Sequence, residues 1–338
     1  MKRLRALVAA ALLAAVAAPA SAQPVLIRMA TIVPDGSAWH LILKEMGEKW
    51  KTASGGRVTL RLFPGGIQGD DPIVVSKMRL GTLDAGLLTS VGIGQIDRGV
   101  LSLQIPMMYS SYEELDYVLD HMTARLEQRL GDKGFVLLNW ADGGRVYFFT
   151  KQPVARPDDL KALKLFTWQG DADDTEVWKA AGFNPVPLPS TEVTTALQTG
   201  LVTAMPAPPQ AAVVLQWYQH ARNMTDLKWL FLLGGTVIKK STWDRIPADA
   251  QPAIREAARE AGRRLRDEIR GAEGRDIEAM RKRGLNVVHV DEKTEALWRS
   301  AAESAYGRVR GSIVPAESFD EAKRLRDEFR QRASRSSS

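Results

Sequence analysis

Two hydrophobic periods alternate along this chain, and few folds accommodate that order. Apolar runs of strand length, VLIRMATIV (25–33), RVTLRLFP (57–64), AGLLTS (85–90) and FVLLNWA (135–141), are separated by helical patterns at 70–80 and 111–130. Strand and helix in alternation build an α/β sheet with crossover helices. A second set begins after Gly143-Gly144, with strands VYFFTKQ (146–152), ALKLFTW (162–168) and NPVPLP (184–189) and helices near 173–181 and 190–199. Two such sets suit 338 residues, more than one hydrophobic core usually supports.

A long helical pattern over 248–283 spaces Ile254, Ala257, Ala258, Ala261, Leu265, Ile269 and Ala272 by three or four residues. At 1.5 Å per residue it reaches roughly 50 Å, enough to brace two lobes, with Gly271 and Gly274 as the expected points of a kink. Ser111 and Glu114 have capping-box spacing, as do Ser318 and Glu321, which are expected to open the last helix.

The first residues, MKRLRALVAAALLAAVAAPASAQ, combine a basic start, an apolar run too short to span a bilayer and an A-x-A site at 20–22. They predict a secretory leader over 1–22, cleaved before Gln23, and an exported mature chain. Loss of Lys2, Arg3 and Arg5 with the leader lowers the formal charge from +6 to +3. The later basic stretches alternate with acids as solvated helix faces do, so no nucleic-acid partner is expected. Zero cysteines exclude disulfides, a thiol nucleophile and cysteine-ligated zinc.

Catalytic patterns are lacking. The four histidines, His40, His121, His220 and His289, have no metal spacing, and GIGQID fails the dinucleotide fingerprint at its third glycine. Asp70/Asp71 and Asp173/Asp174 sit at expected helix starts, where acids complement the helix dipole. The reading is no enzyme, no cofactor and no metal.

The run PDDLKALKLFTW…AAGFNPVPLPSTEVTTALQTGLVTA (157–204) resembles the signature region of DctP-type solute-binding proteins of TRAP (tripartite ATP-independent periplasmic) transporters. LFPGGIQGDDPIVVSKMRLGTLDAGLL (62–88), IPMMYSSYEEL (105–115), GGRVYFFTKQPV (143–154) and KKSTWDRIPADAQPAIREAARE (239–260) continue the resemblance in family order. It implies a two-lobed α/β receptor of the periplasmic-binding-protein type, with a cleft between lobes and a long helix spanning both. Lobe I is expected over 23–142 and 232–270, lobe II over 143–231 and 271–332, and a disordered tail over 333–338. The closed form would deliver its solute to a membrane permease.

The resemblance also frames a departure. Typical members end the strand matching 163–168 with an arginine that clamps the ligand carboxylate. This chain has Phe166 there, and Thr203, Ala204, Met205, Pro206, Ala207 and Pro208 where the family usually carries polar residues. Such losses are expected where no buried ligand charge requires pairing. The expected ligand is therefore largely apolar or aromatic with at most one anionic group, and the expected further partner is a tetratricopeptide-repeat (TPR) periplasmic protein. Candidate ligand contacts are Trp39, Gln68, Thr89 and Ser90, then Arg145, and then Phe166, Thr167, Trp168, Ser190, Met205, Pro206 and Ala207. Trp50, Trp178, Trp229, Trp243 and Trp298 are assigned to cores. Arg145 reads equally as the ligand of a carboxylate or phosphate and as the partner of an acid at the hinge. The alternatives are an ordinary organic acid held by Arg145 and backbone donors, a periplasmic enzyme, and a ligand sensor.

Overall fold

The computed structural model describes residues 24–336, so the expected leader lies outside the described residues. The larger elements of the first part are β1 Val25–Ala30, α1 Ala38–Ala53, β2 Val58–Phe63, α2 Asp71–Leu80, β3 Ala85–Thr89, α3 Tyr112–Asp132 and β4 Phe135–Thr150. Then come β5 Lys164–Trp168, α4 Ala172–Ala180, β6 Asn184–Leu188, α5 Val193–Thr199, β7 Ala204–Ala207 and β8 Asn223–Lys239. The chain closes with α6 Gln251–Arg281, β9 Asn286–Val288, α7 Glu292–Arg308 and α8 Ala316–Ser336.

The strands form one sheet in the order β2-β1-β3-β8-β4-β7-β5-β6, with β9 also paired to β8. Its spine is the antiparallel pair of the two longest strands, β4 and β8, matched from Phe135 opposite Lys239 to Thr150 opposite Asn223. The parallel β2-β1-β3 group joins at one end of this ribbon and the parallel β7-β5-β6 group at the other. Two lobes thus share two strands. Residues 135–150, expected as two strands broken at Gly143-Gly144, form one strand with a bulge between Asp142 and Gly144. A glycine inside a strand marks a bulge as readily as a turn.

Alternation along the shared strands supplies cores on opposite faces. Phe135 and Leu137 enter one cluster with α2, α3 and α8, while Leu138 and Ala141 enter another with α1 and α6. The second lobe repeats the pattern: Tyr147 and Phe149 face one cluster, Val146 and Phe148 the other.

Helix α6 spans both lobes, as its periodicity predicts. It is continuous for 31 residues through Gly271 and Gly274, and the expected kink is absent. Ile254, Ala258, Ala261 and Leu265 pack into the first lobe, and Ile277 and Met280 into the second. Each large aliphatic side chain so buried contributes about 1.5–3 kcal/mol. Ser111 caps α3 by accepting the Glu114 main-chain N–H at 3.2 Å, but Ser318 is buried inside α8, which starts at Ala316.

The C-terminal segment departs from the expected lobe boundaries. Phe319, Ala322 and Leu325 of α8 pack with Leu115, Val118 and Leu126 of α3, which places 316–336 against the first lobe. Residues 333–336, expected in a disordered tail, continue that helix. An amphipathic face announces that a helix must be covered but does not name its cover.

Two glycines of α6 make a paired test. A Cβ at Gly262 would lie 2.5 Å from the Trp140 carbonyl oxygen, whereas one at Gly274 meets nothing within 4 Å. Gly262→Ala is expected to destabilise by roughly 1–3 kcal/mol through overpacking. Gly274→Ala should stabilise by up to about 1 kcal/mol through helix propensity. Urea unfolding of the two variants checks both signs.

Candidate ligand-binding cleft

The parallel strands of both lobes point their C-terminal ends at one crevice, the usual position for a site in open α/β sheets. It encloses a cavity of about 600 Å³. From the first lobe, Thr31 follows β1, Thr89 ends β3, Gln104 ends the 3-10 helix Arg98–Gln104 and Trp39 lies on α1. From the second lobe, Thr167 and Trp168 end β5, while Ser190, Thr191 and Thr194 follow β6. Asp142 and Gly143, at the β4 bulge, form the floor.

Nine of the twelve candidate contacts line this cavity: Trp39, Thr89, Phe166, Thr167, Trp168, Ser190, Met205, Pro206 and Ala207. Gln68 lies off it, accepting a hydrogen bond from Lys77 Nζ at 3.0 Å. Ser90 is fully buried and its hydroxyl donates to the Gln104 side chain. Arg145 also lies off the lining. Its guanidinium carbon sits 4.6 Å from the Tyr112 ring centroid and 5.6 Å from that of Phe231, and it pairs with Glu273 at 3.4 Å. Of the two readings of Arg145, this geometry matches the acid partner at the hinge.

Sequence reasoning missed several lining residues. Gln104, Thr191 and Thr194 carry no signal beyond being polar at strand and helix ends. Trp178 and Trp229, assigned to cores, form an apolar end of the cavity, where they pack on each other at 5.8 Å between centroids. Asp171 and Asp174 line the cavity as well. Asp174 was read as part of a helix start and Asp171 was not read, but one role in a sequence does not exclude a second.

Among the described residues no Lys, Arg or His lines the cavity; its charges are carboxylates, and most are already paired. Asp142 accepts from Arg270 Nε at 2.6 Å, and Asp171 pairs with Arg98 at 3.2 Å. Asp174 makes no such ion pair among the described residues. Desolvation, reinforced by Asp171 and opposed by the Trp178 indole, pushes its carboxyl up to about 7, although part of its surface meets the cavity. The hydroxyl of Thr167 is buried and has no hydrogen-bond partner among the described residues.

Thr89 is held from behind. Its main-chain N–H and hydroxyl both donate to Asp71 Oδ2, at 2.8 and 2.7 Å. Asp71 is fully buried, and desolvation pushes its carboxyl up to about 7 against the pull of Thr89.

The family described as bacterial extracellular solute-binding protein, family 7 (DctP) matches residues 29–311. A solute-binding protein of Roseobacter denitrificans is 26% identical over 318 residues, covering 90% of this chain and 93% of the relative. A TRAP periplasmic solute-binding protein of Pseudomonas putida F1, solved with bound D-glucuronate, is 25% identical. It superposes with a TM-score of 0.79 over 89% of this chain and 96% of that one. A sugar-acid-binding protein of Advenella mimigardefordensis, solved with galactonate, shares 19% identity and the fold, with a TM-score of 0.84 over 90% and 99% of the two chains.

Asp71 yields a prediction with a definite sign. Its folded pKa of about 7 lies above the unsubstituted value of 3.8, so the folded state holds an extra proton between these values. Its contribution to stability is fully present below about pH 4 and is lost as pH rises toward 7. Asp71→Asn should flatten that part of the stability profile, measured by denaturant unfolding at successive pH values.

Proposed function

The chain belongs to the DctP family of bacterial extracellular solute-binding proteins, the periplasmic receptors of TRAP transporters, and on that premise we propose that its cleft takes a hydroxylated organic acid of about sugar-acid size. It is a receptor and not an enzyme, and it delivers a small molecule to membrane permease subunits.

The expectation of a largely apolar or aromatic ligand is corrected. Relatives of this fold hold polar carboxylates: D-glucuronate in the Pseudomonas putida protein and galactonate in the Advenella mimigardefordensis protein. Phe166 removes a cation from the cleft, but it does not remove polarity from the walls. The TPR partner was tied to an apolar cleft and loses its support with that reading.

The observation that carries the proposal is the unpartnered Thr167 hydroxyl, buried on a wall shared with Ser190, Thr191 and Thr194. A buried unsatisfied hydroxyl costs about 1–3 kcal/mol, which a ligand hydroxyl or carboxylate oxygen would recover once rotation of the Thr167 side chain presents the hydroxyl to the cavity. Without a lining cation, the carboxylate is received by hydroxyl donors and by Asp174 in its protonated form, which donates a hydrogen bond instead of repelling the anion. Arg145 acts behind the wall, where it holds Glu273 and covers Tyr112.

Calorimetric titration with D-glucuronate, galactonate, a C4-dicarboxylate and a medium-chain fatty acid tests this reading. Saturable binding of a sugar acid is expected; binding of the fatty acid alone would refute it. Affinity for the sugar acid should fall as pH rises through 7 and Asp174 ionises, and Asp174→Asn should remove that dependence. Thr167→Val should leave the unliganded protein as stable or more stable while weakening sugar-acid binding roughly tenfold, the value of one hydrogen bond of about 1.4 kcal/mol.

A further inference from the structure

We propose that Asp70 is the closure latch of this receptor: a first-lobe carboxylate that grips Ser190, a cavity-wall residue of the second lobe, and so sets the balance between open and closed forms. This inference rests on the receptor reading above but not on the identity of the ligand.

The geometry is specific. Asp70 Oδ2 accepts the main-chain N–H of Ser190 at 2.7 Å, and Oδ1 accepts the Ser190 hydroxyl at 2.8 Å. Oδ1 also accepts the main-chain N–H of Asp71 at 2.9 Å, which caps α2. One buried side chain therefore ends a helix in one lobe and receives both donors of a residue 120 positions away in the other. Hydrogen bonds to a charged acceptor are about twice as strong as neutral ones, and burial protects these from competing water.

The surroundings make the contact a point of closure. A Cβ on Gly66, four residues before Asp70, would lie 2.5 Å from Thr191 Cγ2, so the lobes touch there with no room for a side chain. A second bridge joins Arg98 of the first lobe to Asp171 and Asp173 of the second, at 3.2 and 3.0 Å. Its members are more exposed, so solvent and salt weaken it and it ranks below Asp70.

The latch uses only protein groups, so it acts with or without a ligand. Opening strands the Ser190 donors and a charged acceptor until water replaces the bonds. Closing also fixes Ser190, while Asp71 holds Thr89 within the first lobe, so the Asp-Asp pair at the start of α2 organises a hydroxyl on each wall. Apparent affinity scales with the fraction of molecules in the competent state, and a weaker latch lowers it without removing a ligand contact.

Because the chain contains no cysteine, Lys44→Cys on α1 and Thr195→Cys on α5 take spin labels cleanly. Electron-electron distance measurements on the full mature chain, without ligand, give the closed fraction. Asp70→Ala is expected to lower that fraction at least fivefold. Asp70→Ser retains a helix cap but is too short to span the cleft, so it should do the same with an unchanged circular dichroism spectrum. Ser190→Ala keeps the main-chain bond and should have a smaller effect, and Arg98→Ala should change the fraction less than twofold. A wild-type protein with no closed population, or an Asp70→Ser protein with the wild-type distribution, overturns the latch. Titration with D-glucuronate should show a Kd raised by the same factor. Absence of binding by every variant and by the wild type, with the distance result intact, would count against the ligand class and leave the latch standing.

Discussion

Arg270 holds this architecture at its narrowest point. From the long helix α6 it makes two bonds of 2.7 Å to Asp116 of α3 and one of 2.6 Å to Asp142 at the β4 bulge, while its guanidinium lies 4.2 Å from the Tyr112 ring centroid. Three elements meet in that one side chain. Asp142 is nearly fully buried, and desolvation alone would drive it to the neutral form; Arg270 and, more distantly, Arg266 oppose that shift. A buried pair of this kind adds little net stability, but losing one partner typically costs 3–5 kcal/mol. Its value is geometric, since it fixes the helix that spans both lobes to the strand that crosses between them. The cavity floor is placed by this contact.

A neighbouring network extends the same constraint into the second lobe. Glu273, one turn further along α6, accepts the Tyr147 hydroxyl at 2.9 Å and pairs with Arg145. Arg145 and Arg270 both lie against Tyr112, whose phenol is driven well above its ordinary range by burial. Cations are thus gathered behind the cleft, holding the hinge, while the cavity itself is lined by hydroxyls, aromatic rings and carboxylates. The arginine nearest the cleft in sequence, Arg145, is held off the lining by Glu273 and the Tyr112 ring.

Much of the fold was legible because its signals are local. Strand runs, the helix over 251–281 and the Ser111 cap depend on periods of two and 3.6 and on one hydroxyl at a helix start. Where reading failed, the deciding interaction was distant. The Gly143-Gly144 pair looks like a boundary until β8 is laid against it, and β7 passed unread because AMPA is short and contains a proline. Helix α8 shows an apolar face, yet only the folded molecule identifies α3 as its partner. Nine candidate contacts meet in the cavity because family position reports strand ends well. The ligand class was misjudged for a different reason: a missing arginine was taken as a missing ligand charge. Main-chain donors and scattered threonines, which also receive anions, have no compositional signature.

The distribution of carboxylates gives the cleft a further property. Of the carboxylates that line the cavity, Asp142 and Asp171 are paired with arginines, Asp35 lies 2.8 Å from His40 Nδ1, and burial pushes the Asp174 carboxyl up to about 7; Asp70 and Asp71, off the lining, bond hydroxyl and main-chain donors. A site so rich in acids would repel an organic acid if all of them presented free charge. Pairing draws most of that charge away from the cavity, and desolvation suppresses much of the remainder near neutral pH. The organic acid proposed above, received without a lining cation, therefore depends on walls neutralised in this way.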